Sequence, residues 1–323
     1  MPMSGAFQSL LALLLLTAAP AFAQGAWPSK AVRMIVPFPG GGSADALCRI
    51  VAEKLSGAWG QTVIVDNRAG AGGNVGAEIA FRAEPDGHTL LCSPPGPLAI
   101  NHNLYKTLPY EPAKFAPVTV LALVPNVITA RPDLAANTAQ ELIALGKANP
   151  GKLTYASQGN GTTSHLSAQM FATMAGIQMT HVPYRGEGPA LVDLIAGRVD
   201  IFIGNIAAAL RFEKTKQVKF LGLAGRGRSA VAPHVPGAVE IGLPDFVASA
   251  WFALVAPPGT PDAVTGRINA DARAALALPD VRARFLEQGA EPVGQNVAAT
   301  AAFIREEEAR WRAVIRSANV TLD

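Results

Sequence analysis

"VPFPGGGSADALCR", residues Val36–Arg49, ends an apolar run at Phe38, adds three glycines, and opens a helical pattern with a serine and an aspartate. The run before it, "AVRMIVPF", is short, apolar and closed by Pro and Gly, as a buried strand is. After it Leu47, Ile50, Val51 and Leu55 recur at helical spacing. A strand that turns through glycine into a helix is the repeating unit of a parallel α/β sheet.

The same alternation continues outward. "QTVIVDN" reads as a second strand, "RAGAGGNVGAEIAFRA" as a Gly-rich turn entering a helix, and "HTLLCS" as a third strand. "FAPVTVLALVPNVITA" reads as two short strands interrupted by Pro125. A second alternating unit starts near Asn126. Thr138 to Glu141 form a capping box, in which the Thr and Glu side chains satisfy orphan N–H groups at a helix start. "KLTYAS", "MTHVPY", "VDIFIG" and "VKFLGLA" are its strands, and "TSHLSAQMFATMAG" is a helix closed by Gly176. Residues Gly225–Pro244 have no period and read as a long surface connection. "SAWFALVAP" restores a strand, and helices follow to the end. In the last one Ile304, Trp311 and Ile315 mark an apolar stripe, and Glu306 to Glu308 a solvated face.

The expected fold is therefore α/β, with two units. The final helices need a surface to bury their stripes on, which returns the tail to the first unit. That predicts two chain crossings, near Val124–Asn126 and Ala248–Trp251. Residues 24–125 and 250–323 form domain 1, and residues 126–249 form domain 2. A cleft between two such units binds ligands at the carboxyl ends of parallel strands.

What the opening loop holds follows by elimination. A nucleoside-triphosphate loop needs Gly-Lys-Ser/Thr, and no Lys follows these glycines. A dinucleotide fingerprint needs a spaced third glycine; Gly40, Gly41 and Gly42 are consecutive, and "GAGGNVGA" is one position out of register. What remains is a backbone open to close approach and a helix N-terminus near Ser43, which suits one carboxylate. Asp45 in the first turn favours the helix. "YASQGNGTTSHLSAQMF", Tyr155–Phe171, repeats the logic in the second unit, with hydroxyls at Ser157, Thr162 and Thr163 and open backbone at Gly159 and Gly161. Two helix N-termini facing a cleft hold an anion without a fixed cation. An enzymatic alternative joins Ser157, His165 and Asp200 as a secreted hydrolase's triad, but no nucleophile elbow surrounds Ser157.

Composition sets the remaining bounds. The chain has 323 residues, 50% of them hydrophobic and 16% charged, with a net charge of +3. That is enough for two cores, and it carries no basic stripe for a nucleic acid. "RFEKTK", Arg211–Lys216, is broken by Glu213 and reads as a solvated helix end. An aromatic content of 7% argues against a sugar site built on ring stacking. "LLALLLLTAAPAFA", Leu10–Ala23, is uncharged, too short to span a bilayer, and ends in Ala21-Phe22-Ala23, the small-x-small pattern cut on export. No Lys or Arg precedes it, a departure from an ordinary leader. The expectation is a signal peptide over residues 1–23, cleaved after Ala23, and a periplasmic monomer. Export permits a disulfide between the two cysteines, Cys48 and Cys92, but sequence does not place their Cα atoms within bridging range, and two separate buried thiols are the favoured reading. They form no metal site, and no cofactor is expected.

At these residues the chain resembles the Bug family (Bordetella uptake gene type), the extracytoplasmic solute receptors of tripartite tricarboxylate transport systems. "WPSKAVRMIVPFPGGGSADALCR", "VIVDNRAGAGGNVGAE", "PDGHTLL", "LTYASQGNGTTSHLSAQMF", "HVPYRGEGPALVDLIAGRVDIFIGN" and "WFALVAPPGTP" carry the resemblance in order along nearly the whole chain. It implies a two-domain Venus-flytrap fold of the periplasmic-binding-protein kind with a two-stranded hinge. It also implies capture of a small carboxylated solute, held by backbone and hydroxyl groups of the two loops and partly by ordered waters. The closed form is then read by transmembrane transporter subunits or by a sensor protein. Carried over, Phe38, Pro39, Gly40, Gly41, Gly42, Ser43 and Asp45 form the first binding loop. Ser157, Gly159, Gly161, Thr162, Thr163 and His165 form the second. Ser93 to Leu98, with Gly96 among them, and Asn205 are pocket-facing connections. Tyr184 and Glu187 are pocket neighbours, Tyr184 equally well as plain packing. Gly40 stands where the family usually has a second Pro, and "SPPGPLAINHNLY" departs from a commoner Ser/Asn-rich sequence.

Overall fold

The computed structural model describes residues 27–318. The expected leader and its cleavage site after Ala23 lie outside the described residues.

Strand β1 (Val32–Val36) lies between β2 (Val63–Asn67) and β3 (Thr89–Ser93), parallel to both. Helix α1 (Ser43–Trp59) joins β1 to β2, and α2 (Asn74–Phe81) joins β2 to β3. Successive β1 side chains point to opposite faces. Met34 enters a core with Leu47, Val51, Leu55 and Phe252, whereas Ile35 enters one with Leu91, Trp251, Tyr110 and Phe115. A strand covered on both faces has to be apolar throughout, as β1 is.

The second half repeats this plan. Parallel strands β5 (Leu153–Ser157), β6 (Met179–Pro183) and β7 (Ile201–Asn205) alternate with α4 (Thr163–Ala175), α5 (Glu187–Ile195) and α6 (Ile206–Lys214), after an opening helix α3 (Ala139–Ala148). Strand β8 (Lys219–Leu223) closes it.

The halves share one long strand, β4 (Ala116–Ala130). Its first part pairs antiparallel with β9 (Ser249–Ala256), from Ala116↔Ala256 to Pro125↔Ser249. Its last part pairs with β7 and β8, beginning at Asn126↔Asn205 and Val127↔Leu223. The sequence reading of two strands broken at Pro125 is thus corrected. Proline lacks a donor, and it sits where β4 changes partners, so the strand runs on without a broken ladder. The resulting order is β2-β1-β3-β9-β4-β7-β5-β6.

Four further expectations change. Cys48 and Cys92 are disulfide-bonded, with Cα atoms 6.3 Å apart, because α1 lays Cys48 over the end of β3. Residues Gly225–Pro244 are more than a surface connection: Ala232 and Val235 enter the first core, Ala238 and Ile241 the second, and Ala238 N–H donates to Gly225 O. The last helices are α7 (Asp262–Ala277), α8 (Pro279–Glu287) and α9 (Val297–Ala318), with short β10 (Glu291–Pro292) on β4. In α9, Phe303 and Ile304 pack on the first half, but Trp311 and Ile315 enter the core of the second. Glu307 is not on the solvated face. It is buried, accepts from Trp251 Nε1 at 2.8 Å and pairs with Arg310. Among the described residues no helix is long and apolar enough to cross a membrane.

Candidate functional site

The loop between β1 and α1 is held by a small polar cluster. Gly41 has φ +86°, a conformation that favours glycine, and its N–H donates to Asp45 Oδ2 at 3.0 Å. Arg49 Nε donates to Asp45 Oδ1 at 2.9 Å, and Asn67 Nδ2 donates to Phe38 O at 3.0 Å. Burial pushes the Asp45 carboxyl up, but hydrogen bonds from Arg49, Gly41 and Asn67 outweigh it and hold the group below its ordinary value. Asp45 therefore fixes the loop's shape from behind.

The loop after β5 is fixed from within. Thr162 Oγ1 donates to Gly159 O at 2.7 Å, and Gln158 N–H donates to Ser164 Oγ at 2.9 Å. Ser157 is fully buried, with its Oγ 2.7 Å from His181 Nε2. His165 stacks on His181 with ring centres 4.2 Å apart, and its Nδ1 accepts from Gly161 N–H at 3.2 Å. Burial pushes both imidazoles down to about 4. Asp200 lies elsewhere, accepting from Thr154 and Arg131. The triad of Ser157, His165 and Asp200 is not assembled: the serine faces a different histidine, and the aspartate is committed to an arginine.

Between these loops is a cavity of about 130 Å³. Phe38, Pro39, Gly40, Gly41, Gly42 and Ser43 line one side; Gln158, Thr163, Arg185, Glu187 and Asn205 line the other; β9 adds Ala250 and Phe252. A larger cavity of about 580 Å³ adjoins it, sharing Phe38, Pro39, Gln158 and Arg185 and adding Gly159, Tyr105 and Tyr184. Asp45, Ser93, Gly96, Ser157, Gly161, Thr162 and His165 line neither cavity. Ser93 is fully buried and donates to Pro94 O at 2.9 Å, and Gly96 lies against Gly72 and Asn101. These residues shape the site from outside its wall.

One wall of the inner cavity is held together by a residue the sequence reading took only as a pocket neighbour. Glu187 opens α5 after Gly186, whose φ is +114°. Its carboxylate crosses to the other half and accepts from Ser43 N–H at 3.2 Å and Ser43 Oγ–H at 2.9 Å. It also accepts from Gln158 Nε2 at 2.7 Å and from Asn205 Nδ2. Burial raises its pKa, against the lowering by the Ser43 and Asn205 hydrogen bonds. The N-terminus of α1, expected to meet a solute's carboxylate, is thus occupied by the protein's own. A helix N-terminus takes whichever carboxylate reaches it. The cleft also holds a cation that the sequence reading did not place there. Arg185 is exposed, lines both cavities, and makes no ion pair among the described residues. The signal for both was the run Arg185-Gly186-Glu187-Gly188, two opposite charges set among glycines at a helix start. Among the described residues no His, Cys, Asp and Glu cluster suits a metal.

Residues 47–320 match the family described as the tripartite tricarboxylate transporter family receptor. The chain belongs to that family. Its members are solute-binding receptors. The chain is 38% identical over 298 residues to the protein BugT of Bordetella pertussis, covering 92% of this chain and 91% of BugT. Among solved structures, an R. palustris protein with adipate is 34% identical with a TM-score of 0.88, covering 91% of this chain and 99% of that one. MatC from Rhodopseudomonas palustris with bound malate is 33% identical with a TM-score of 0.84, covering 90% of this chain and all of that one. The receptor therefore has the two-domain periplasmic-binding-protein fold expected from its sequence.

Proposed function

We propose that this receptor captures a small carboxylated organic solute in the periplasm and delivers it to the transmembrane subunits of a tripartite tricarboxylate-type transporter. The carrying observation is the cleft itself. Loops from both halves meet across it, and Arg185 stands in its wall with no carboxylate among the described residues paired to it. Adipate and malate in related structures support the solute class.

The reading includes a hinge-bending cycle. Domain 1 (residues 24–125 and 250–323) and domain 2 (126–249) turn about the β4–β9 pair, after a leader has been removed at Ala23. The open form exposes both loops. Closure removes the acid from water, and is favoured only to the extent that the solute binds the closed form better. Phe38 to Ser43, Gly159, Thr163 and Asn205 meet the solute, with Arg185 as counter-ion. No bond is made or broken.

The test is thermal melting of the purified protein against a panel of small organic acids and their esters. At about 100 times its dissociation constant, one acid adds roughly 2.7 kcal/mol of stability, and its ester does not. Arg185→Ala weakens that acid by about tenfold or more. If no acid shifts the melt, and mass spectrometry finds no acid released on denaturation, the reading is wrong.

A further inference from the structure

The inner end of the cleft is built of acceptors. Glu187 is 8% exposed, and all four of its hydrogen bonds come from neutral donors. No Lys, Arg or His pairs with it among the described residues. Beside it, Asn205 Oδ1 is buried without any partner. The amide's orientation is not free, because its Nδ2 donates to the Glu187 carboxylate. The orphaned atom is therefore an acceptor, and only a donor satisfies it. Two features of one wall, a buried carboxyl without a cation among the described residues and a buried acceptor without a donor, ask for the same group.

A solute carboxylate fits this end badly. It would stand against the oxygens of the Glu187 carboxyl in a site shielded from water, and the Ser43 donors at the α1 N-terminus are already taken. A protonated amine reverses each term. It pairs with Glu187, offers an N–H to Asn205 Oδ1, and displaces the Gln158 amide, the half-buried one of the three donor residues. The other end suits an acid, because Arg185 lines both cavities. Arg185 and Glu187 are the only ionisable side chains among the described residues that line the inner cavity. A zwitterion leaves neither of them uncompensated.

We propose that Glu187 and Asn205 make this receptor selective for small aminocarboxylic acids over acids without an amine. The amine sits on Glu187 and Asn205 Oδ1, and the carboxylate on Arg185 and the adjoining loop backbone. This rests on the receptor reading above and names its solute class.

The experiment measures dissociation constants of the purified protein for matched pairs. Such pairs are 4-aminobutyrate with glutarate, β-alanine with succinate, and glutamate and aspartate with the same two diacids. At least one amino acid binds about tenfold or more tightly than its partner. Glu187→Gln, which keeps the shape and removes the charge, lowers that preference by about tenfold or more. If this variant melts early, the wild-type preference stands as a separate readout, and Asn205→Leu, which removes the unpaired acceptor, lowers it. A wild type that binds a diacid as tightly as its amino partner overturns the inference and leaves the receptor reading intact. A wild type that binds neither kind of acid overturns both.

Discussion

Gly76 has no side chain because two backbones already occupy the place of one. A Cβ there would lie 2.7 Å from Arg68 O and 2.8 Å from Pro37 Cα. That close approach seats α2 against the stem of the first cleft loop. On an exposed helix Gly→Ala stabilises by up to about 1 kcal/mol. Here Gly76→Ala is expected to cost about 1–3 kcal/mol through overpacking, read by denaturant melting. A stabilised variant would show that the approach is looser than the structure has it. A second residue-scale outcome concerns pH. His165 and His181 sit at about 4 in the fold, against about 6.5 when unfolded. The unfolded chain then binds protons that the folded one refuses. Their contribution is complete above about pH 6.5 and is lost as pH falls toward 4, by a few kcal/mol for buried His165. His165→Asn keeps an acceptor near Gly161 N–H and should flatten the melting temperature over that window. An unchanged slope would assign the acid sensitivity to other groups.

The disulfide ties one element to another. Cys48 on α1 and Cys92 on β3 close a loop of 44 residues and pin the helix whose N-terminus forms the cleft wall. Restricting the unfolded chain by a loop of that size is worth about 4 kcal/mol. The variant carrying both Cys48→Ala and Cys92→Ala should lose up to that amount, and a reductant should lower the wild-type melt but not the variant's. If the two proteins melt alike, α1 is held by packing alone. Elements whose cause is local were legible in the sequence. Strand β1 and helix α1 announce themselves by a short apolar run, glycines and helical spacing. The start of α3 shows its cap: Glu141 N–H donates to Thr138 Oγ1 at 3.1 Å, though the Glu141 carboxylate reaches Asn137 N–H and not the capping residue. What was not legible depends on partners distant in the chain. Pro125 reads as a break until β7 and β8 take over from β9. The cysteine pair exists because helix and strand are laid together. Glu307 reads as a surface charge until the Trp251 indole needs an acceptor. Glu187 reads as one more acidic helix start until the fold brings Ser43 and Asn205 to it.

At the scale of the whole molecule, the two halves are joined by more than the β4–β9 pair. Helix α9 lies across both, with Phe303 and Ile304 in one core and Trp311 and Ile315 in the other. Trp311 is 1% exposed, so removing its ring leaves a large hole in the second core. Trp311→Ala should cost about 3–5 kcal/mol. The position of the ring makes the form of the loss as informative as its size. A helix that clasps two cores makes them unfold together, and a helix released from one of them does not. Calorimetry of the wild type should therefore show one cooperative transition. The variant should show two, the lower one belonging to residues 126–249. A solute bound by both loops bridges the same halves on the cleft side, so adding it to the variant should draw the two transitions back together. A variant that melts in one transition near the wild-type temperature would mean that the β4–β9 pair couples the halves alone, with α9 a passive cover.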